Sequence, residues 1–259
     1  MSATPAAEHS AVGGHMTIWE HIGELRTRLI RVLIAVGIGA VLGWVLFPYV
    51  LEFLLRPFYE LVPDGTLIAT SPLQPFATRL KVSGYLAIVF AMPVILWQVW
   101  RFVTPGLYPQ EKKYAIPFTS SALVLFLAGA SIAYITLNPA LQFLINIGGQ
   151  DIEPFYTPDA YIMLIVWMMI AFGVGFEFPV LLVALQLIGV LTPRQLLGWW
   201  RMATVVIVLA AAVITPSGDP ISMLALAIPM FLLYFIAIGI GALVLKLRRR
   251  KARRAEAAS

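Results

Sequence analysis

The sequence predicts an all-α membrane protein of six transmembrane helices, and three observations lead there. Of its 259 residues, 60% are hydrophobic and only 12% charged, and the mean hydropathy is +0.88. No soluble domain of this size needs so much apolar surface. Six apolar runs, at 29–49, 80–100, 115–137, 159–188, 201–214 and 221–245, approach or exceed the length of about 20 residues that a spanning helix requires. Lysine and arginine flank these runs asymmetrically. One side receives Arg26, Arg28, Arg31, Arg101, Lys112, Lys113, Arg194, Arg201 and the tail "KLRRRKARR". The other receives Arg56, Arg79 and Lys81 together with Asp151, Glu153, Asp159 and Asp219. The positive-inside rule then puts both termini in the cytoplasm.

Residues 1–16 read as a disordered tail rich in Ala, Pro, Gly and Ser, without the basic region and apolar core of a cleaved signal peptide. The membrane domain is expected over 17–245 and a basic cytoplasmic tail over 246–259. Its entry, "IWEHIGELRTRLIRVLI" (18–34), is amphipathic: Ile18, Ile22, Leu25 and Leu29 share one face, and Glu20 and Glu24 stack one turn apart. Spacing alone favours solvated juxtamembrane charges here over a landing site for a cationic ligand. Gly39 and Gly43 in the first span permit close helix approach, but the pattern is common in membrane helices and carries little weight.

The extracytoplasmic stretch 50–79 is too long for a turn, and its turn formers and short apolar pieces predict one or two small helices lying at the interface. The first cytoplasmic loop, "RFVTPGLYPQEKKYAIP" (101–117), is stiffened by prolines and aromatics. Glu111 is its one carboxylate, and spacing alone makes it a balance for Lys112 and Lys113. "TPD" (157–159) and "TPR" (192–194) each offer a threonine cap followed by proline at the first helical position. The fifth span is short, so it crosses a thinned bilayer or has its ends buried in protein. "MPVIL" (92–96), "FPVLL" (178–182) and "IPMFL" (228–232) place a proline, and hence a kink, in spans two, four and six.

Span four contains the sequence's sharpest anomaly, Glu177 in "FGVGFEFPVLLV" (172–183). A carboxylate at the bilayer centre costs about 2.5–3.5 kcal/mol on insertion scales, so its default reading is functional. Pro179 cannot donate to the carbonyl of Gly175, which opens the backbone next to it. A bundle-stabilising hydrogen bond is the structural alternative. So is a proton site in a proton-coupled carrier of a small solute, although such a carrier needs further midplane polar groups and the spans offer little besides Gln186.

Other chemistries find no support. There is no cysteine, and His9, His15 and His21 all lie in or beside the N-terminal tail without metal-ligand spacing, so no metal site is expected. Neither a phosphate-binding loop, a dinucleotide fingerprint nor a nucleophile elbow occurs, so the chain is not expected to be an enzyme or to hold a cofactor. The net charge of +5 sits beside apolar segments rather than on a surface of its own, so no nucleic-acid partner is expected.

The ordered set "HIGELRTRL", "SPLQPF", "MPVILWQVWRFVTPGLYPQEKK", "FGVGFEFPV" and "TPSGDPIS…AIPM" resembles the TatC family, the multispanning receptor subunit of the twin-arginine protein translocase, over about 17–245. The resemblance implies a cupped, concave six-helix bundle with short extracytoplasmic cap helices, in the bacterial cytoplasmic membrane. It implies binding of twin-arginine signal peptides, assembly in multiple copies with TatA- and TatB-type single-span subunits, and export of folded proteins on the proton-motive force. By motif position it places the signal-peptide site on Glu24 and Glu111, flanked by Arg26, Arg28 and Phe102. Two carboxylates at a membrane surface suit this role, since each takes a guanidinium in a charge-assisted bond that lysine reproduces poorly. The resemblance gives Glu177 a concave, partner-facing position, and matches Pro57 and Asp219 to an extracytoplasmic cap and turn whose roles it leaves open. Two positions depart from the family pattern: Phe235, where many relatives carry a carboxylate, and Gln74, where relatives often have Glu.

Overall fold

The computed structural model describes residues 18–62, 67–103, 115–147 and 157–256, and every regular element in them is helical. In chain order these are α1 (Ile18–Leu61), α2 (Gln74–Val103), α3 (Ala115–Ile147), α4 (Pro158–Gly175), α5 (Phe178–Leu187), α6 (Pro193–Gly198), α7 (Trp200–Ile214) and α8 (Pro220–Glu256). Five segments are long and apolar enough to cross a membrane: α1, α2, α3, the α4–α5 pair and α8. The fifth expected span, α7, has 15 residues, about 22 Å at the α-helical rise against a hydrocarbon core of about 30 Å.

Both threonine caps form. Thr157 accepts from the amide of Ala160 at 3.3 Å, and Thr192 builds a reciprocal capping box with Gln195, each ahead of a proline in the first turn. α8 runs on through Glu256 and carries the basic residues after Leu245 in its last turns.

The segment after the first span is helical, as expected of an extracytoplasmic cap, and its first part is joined to the span itself. Residues 50–61 continue α1 as one helix of 44 residues that passes through both Pro48 and Pro57. Each proline removes the N–H that serves the carbonyl four residues earlier, which ordinarily ends or breaks a helix. Here the freed oxygens find other donors. The Trp44 carbonyl accepts from Arg79 Nη2 at 3.0 Å, and the Phe53 carbonyl accepts from the Tyr134 hydroxyl at 2.9 Å. Next to it, the Leu54 carbonyl accepts from the Tyr161 hydroxyl at 3.3 Å. With its backbone satisfied by α2, α3 and α4, α1 has no reason to stop. After a turn, Gln74 opens α2 and its Oε1 accepts from the amide of Thr70 at 2.6 Å.

Helix contacts follow the small residues. A Cβ on Gly39 would lie 2.6 Å from the carbonyl oxygen of Ala87, and one on Gly43 would lie 2.8 Å from that of Ser83. The glycine pair is thus where α1 and α2 touch backbone to backbone. Arg79 closes the same contact, its guanidinium 4.3 Å from the centre of the Trp44 ring. Gly173 of α4 lies directly under the ring of Phe126 on α3.

α4 is the most buried of the long helices, with Tyr161, Ile162, Ile165, Met168 and Phe172 fully buried, while Trp167 and Val174 face outward. α5 is pinned to α8 by Gln186, whose Nε2 donates to the carbonyls of Leu182 at 3.2 Å and Ala237 at 3.1 Å, with its amide lying against Gly241. At the start of α4, Asp159 pairs with Lys81 of α2 at 2.8 Å.

Candidate functional site

Two places carry the polar chemistry singled out above. The first lies where α1 begins and α2 ends. Glu24 and Arg28 are one helical turn apart on α1 and form an ion pair through Glu24 Oε1 and Arg28 Nη2, with the Arg28 side chain 11% exposed. Around the pair is a cavity of about 330 Å³ lined by Gly23, Glu24, Thr27, Arg28, Arg31 and Arg101. Arg101 reaches it because α2 packs antiparallel along α1 and brings its last turn to the level of Glu24. Arg26 is exposed on α1 and does not line this cavity. Phe102 belongs to α2, but its side chain lies outside the described residues, as does Glu111. Sequence reasoning counted Arg31 and Arg101 only as orientation charges, since nothing local shows that they converge on Glu24.

The second place is the junction of α4 and α5. The helix tightens rather than breaking: Glu177 N–H donates to Val174 O at 3.0 Å, and Phe176 and Glu177 keep right-handed helical angles. Pro179 then sits in the first turn of α5, where its missing N–H is tolerated. Glu177 Oε1 is buried and has no hydrogen-bond partner among the described residues. The other polar group of this span, Gln186, is committed through its Nε2 to α5 and α8 backbone, so it forms no relay with Glu177.

Pro57 is buried in α1, and its consequence is the carbonyl that Tyr134 takes. Asp219 is 2% exposed and caps α8: its Oδ1 accepts from the amide of Ser222 at 2.7 Å, its Oδ2 accepts from the Ser217 hydroxyl, and Pro220 follows at the first helical position. Gly218, at φ +60°, makes the turn into this cap.

With this architecture, the family described as Sec-independent protein translocase protein (TatC) matches residues 20–229. The chain belongs to the TatC family. It is 37% identical over 237 residues to the Sec-independent protein translocase protein TatC of Aquifex aeolicus, covering 90% of this chain and 98% of that one. It is also 37% identical over 238 residues to the TatC of Frankia casuarinae, but there it covers 87% of this chain and only 65% of the longer relative. A crystal structure of the twin-arginine translocase receptor TatC in DDM aligns with TM-score 0.74 at 39% identity, covering 86% of this chain and 99% of that one. As a TatC protein the chain is a non-enzymatic membrane protein of a protein translocase, and the solute-carrier alternative for Glu177 is not favoured.

Proposed function

We propose that this TatC protein is a receptor for twin-arginine signal peptides, working in the bacterial cytoplasmic membrane with both termini in the cytoplasm. The observation that carries the reading is the Glu24–Arg28 pair: the carboxylate at the mouth of the interfacial cavity already binds a guanidinium. A peptide arginine that takes over this carboxylate exchanges one guanidinium for another, so it meets geometry already built for it. By its motif, Glu111 takes the neighbouring peptide arginine, and Phe102, Arg26 and Arg28 belong to the flanking motifs. Lysine, a point charge without the planar fork, makes a poorer exchange.

Glu177 has the complementary role within the membrane. Its buried, unpartnered oxygen suits a polar group on the helix of a TatA- or TatB-type single-span subunit. Several copies of the assembly then export folded proteins on the proton-motive force. Pro57 and Asp219 serve as framework, holding the extracytoplasmic half of α1 and the start of α8.

The test is photocrosslinking of an Arg-Arg signal peptide and its Lys-Lys counterpart to wild type, Glu24→Ala, Glu111→Ala and the double variant. Arg-Arg selectivity in wild type that falls about tenfold or more in each single variant is expected, as for losing one charge-assisted bond. Equal crosslinking in all combinations would remove the receptor reading.

A further inference from the structure

Among the described residues that line the cavity between α1 and α2, three carry positive charge and one negative. Three guanidiniums, Arg28, Arg31 and Arg101, line it together with Glu24, and Glu24 is already engaged by Arg28. The other nitrogens of Arg28, Nε and Nη1, are buried and have no hydrogen-bond partner among the described residues. A guanidinium removed from water with donors unsatisfied calls for an anionic acceptor, and several guanidinium forks around one cavity match the tetrahedral oxygens of a phosphate.

The surroundings indicate where that phosphate comes from. Leu29, Ile30, Leu33 and Ile34, on the same stretch of α1, are 55%, 47%, 59% and 58% exposed. They begin the apolar surface of a spanning helix, so the cavity opens at the level where lipid headgroups give way to acyl chains. An amphipathic anion satisfies both halves of this site, its phosphate in the cavity and its chains along α1. We propose that the cavity binds the phosphate of an anionic phospholipid, held by Arg28, Arg31 and Arg101. The lipid site stands on geometry and charge alone. Its consequence rests on the receptor reading: the bound phosphate offsets the excess positive charge that otherwise repels an arriving pair of arginines.

The experiment measures lipid binding by native mass spectrometry on delipidated full-length protein, with phosphatidylglycerol, phosphatidylcholine and inorganic phosphate as probes. Wild type is expected to bind phosphatidylglycerol roughly tenfold or more tightly than phosphatidylcholine, the scale set by two arginines near a surface. Arg31→Gln/Arg101→Gln is expected to lose that preference while melting as wild type does in phosphatidylcholine. If the double variant does not fold, Arg101→Gln alone is read the same way. Equal binding of the two lipids by wild type, or a preference kept by the variant, overturns the site. A preference that appears only in Glu111→Gln also overturns it, because the loop carboxylate then fills the cavity. Displacement of phosphatidylglycerol by an equal concentration of inorganic phosphate overturns the lipid as source and leaves a free anion.

Peptide crosslinking in nanodiscs of phosphatidylcholine alone separates the two readings. Full Arg-Arg selectivity there removes the lipid's part in recognition and leaves the receptor standing. Lipid preference without any dependence of peptide binding on Glu24 does the reverse.

Discussion

The hydroxyl of Tyr134 donates to the carbonyl oxygen of Phe53 at 2.9 Å, and the two rings stack with centroids 4.3 Å apart. Phe53 lies four residues before Pro57, so this is the oxygen that Pro57 deprives of its helical N–H. The same arrangement recurs one step earlier in α1, where Arg79 serves the Trp44 carbonyl freed by Pro48. In each case α1 loses a donor and a neighbouring helix supplies one. The proline-containing half of α1 is therefore tied to α2 and α3 by its own backbone.

Tyr134→Phe is expected to reduce stability by about 1 kcal/mol, the cost of leaving the carbonyl that Pro57 frees without a protein donor while the ring stack survives. In a Pro57→Ala background residue 57 regains its N–H, and the loss should shrink to a few tenths of a kcal/mol. Unfolding in detergent, run as a double-mutant cycle, measures the difference. Equal losses in both backgrounds would uncouple Tyr134 from the proline.

Gly39→Ala is expected to lose about 1–3 kcal/mol, because the new Cβ meets backbone of Ala87 at 2.6 Å and backbone cannot yield as a side-chain tip can. Gly37→Ala is the control on the same helix. Nothing lies within 4 Å of its added Cβ, so it should be neutral or gain up to about 1 kcal/mol from helix propensity. Thermal melts of the two variants side by side check this, and matching losses would show that α1 and α2 do not meet through Gly39.

Much of this fold is legible locally. The threonine–proline starts of α4 and α6 need only residues within one turn, and both form as the sequence predicts. The spans follow from apolar length. What is not legible is the fate of α1 beyond Pro48. Its replacement donors stand 35 and 81 residues away, so proline chemistry read locally argues for a helix end that tertiary contacts cancel. The candidate site divides in the same way. Glu24 is visible in its motif, whereas the convergence of Arg101 on it exists only once α2 has folded back along α1. Gly39 and Gly43 belong to a pattern too common to weigh from sequence, and the structure sets both against the backbone of α2.

Asp219→Ala should cost about 1–2 kcal/mol by removing the acceptor for the Ser222 amide at the start of α8. Asp219→Asn keeps an oxygen at that position and should cost a few tenths. Melting curves again report stability, and peptide crosslinking at Glu24 should not change in Asp219→Asn. A large crosslinking defect in a normally stable Asp219→Asn protein would give the carboxylate a part beyond capping.

On the proposed reading, Glu177 belongs to assembly and Glu24 to recognition. Its Oε1 is buried without a partner among the described residues, and Gln186 in the same span is occupied by α5 and α8. A partner helix can therefore supply what the described residues do not. Glu177→Ala removes both the oxygens and the shape, and should weaken co-purification of single-span subunits about tenfold, as expected for one buried hydrogen bond to a polar group. Glu177→Gln keeps hydrogen-bonding capacity in the same volume and should retain most of the association. Signal-peptide crosslinking should be near wild type in both if the proposed roles hold, because Glu24 lies on α1 and Glu177 at the α4–α5 junction. Full export activity with Glu177→Ala would remove the docking role, and a peptide-binding defect equal to that of Glu24→Ala would merge the two sites into one.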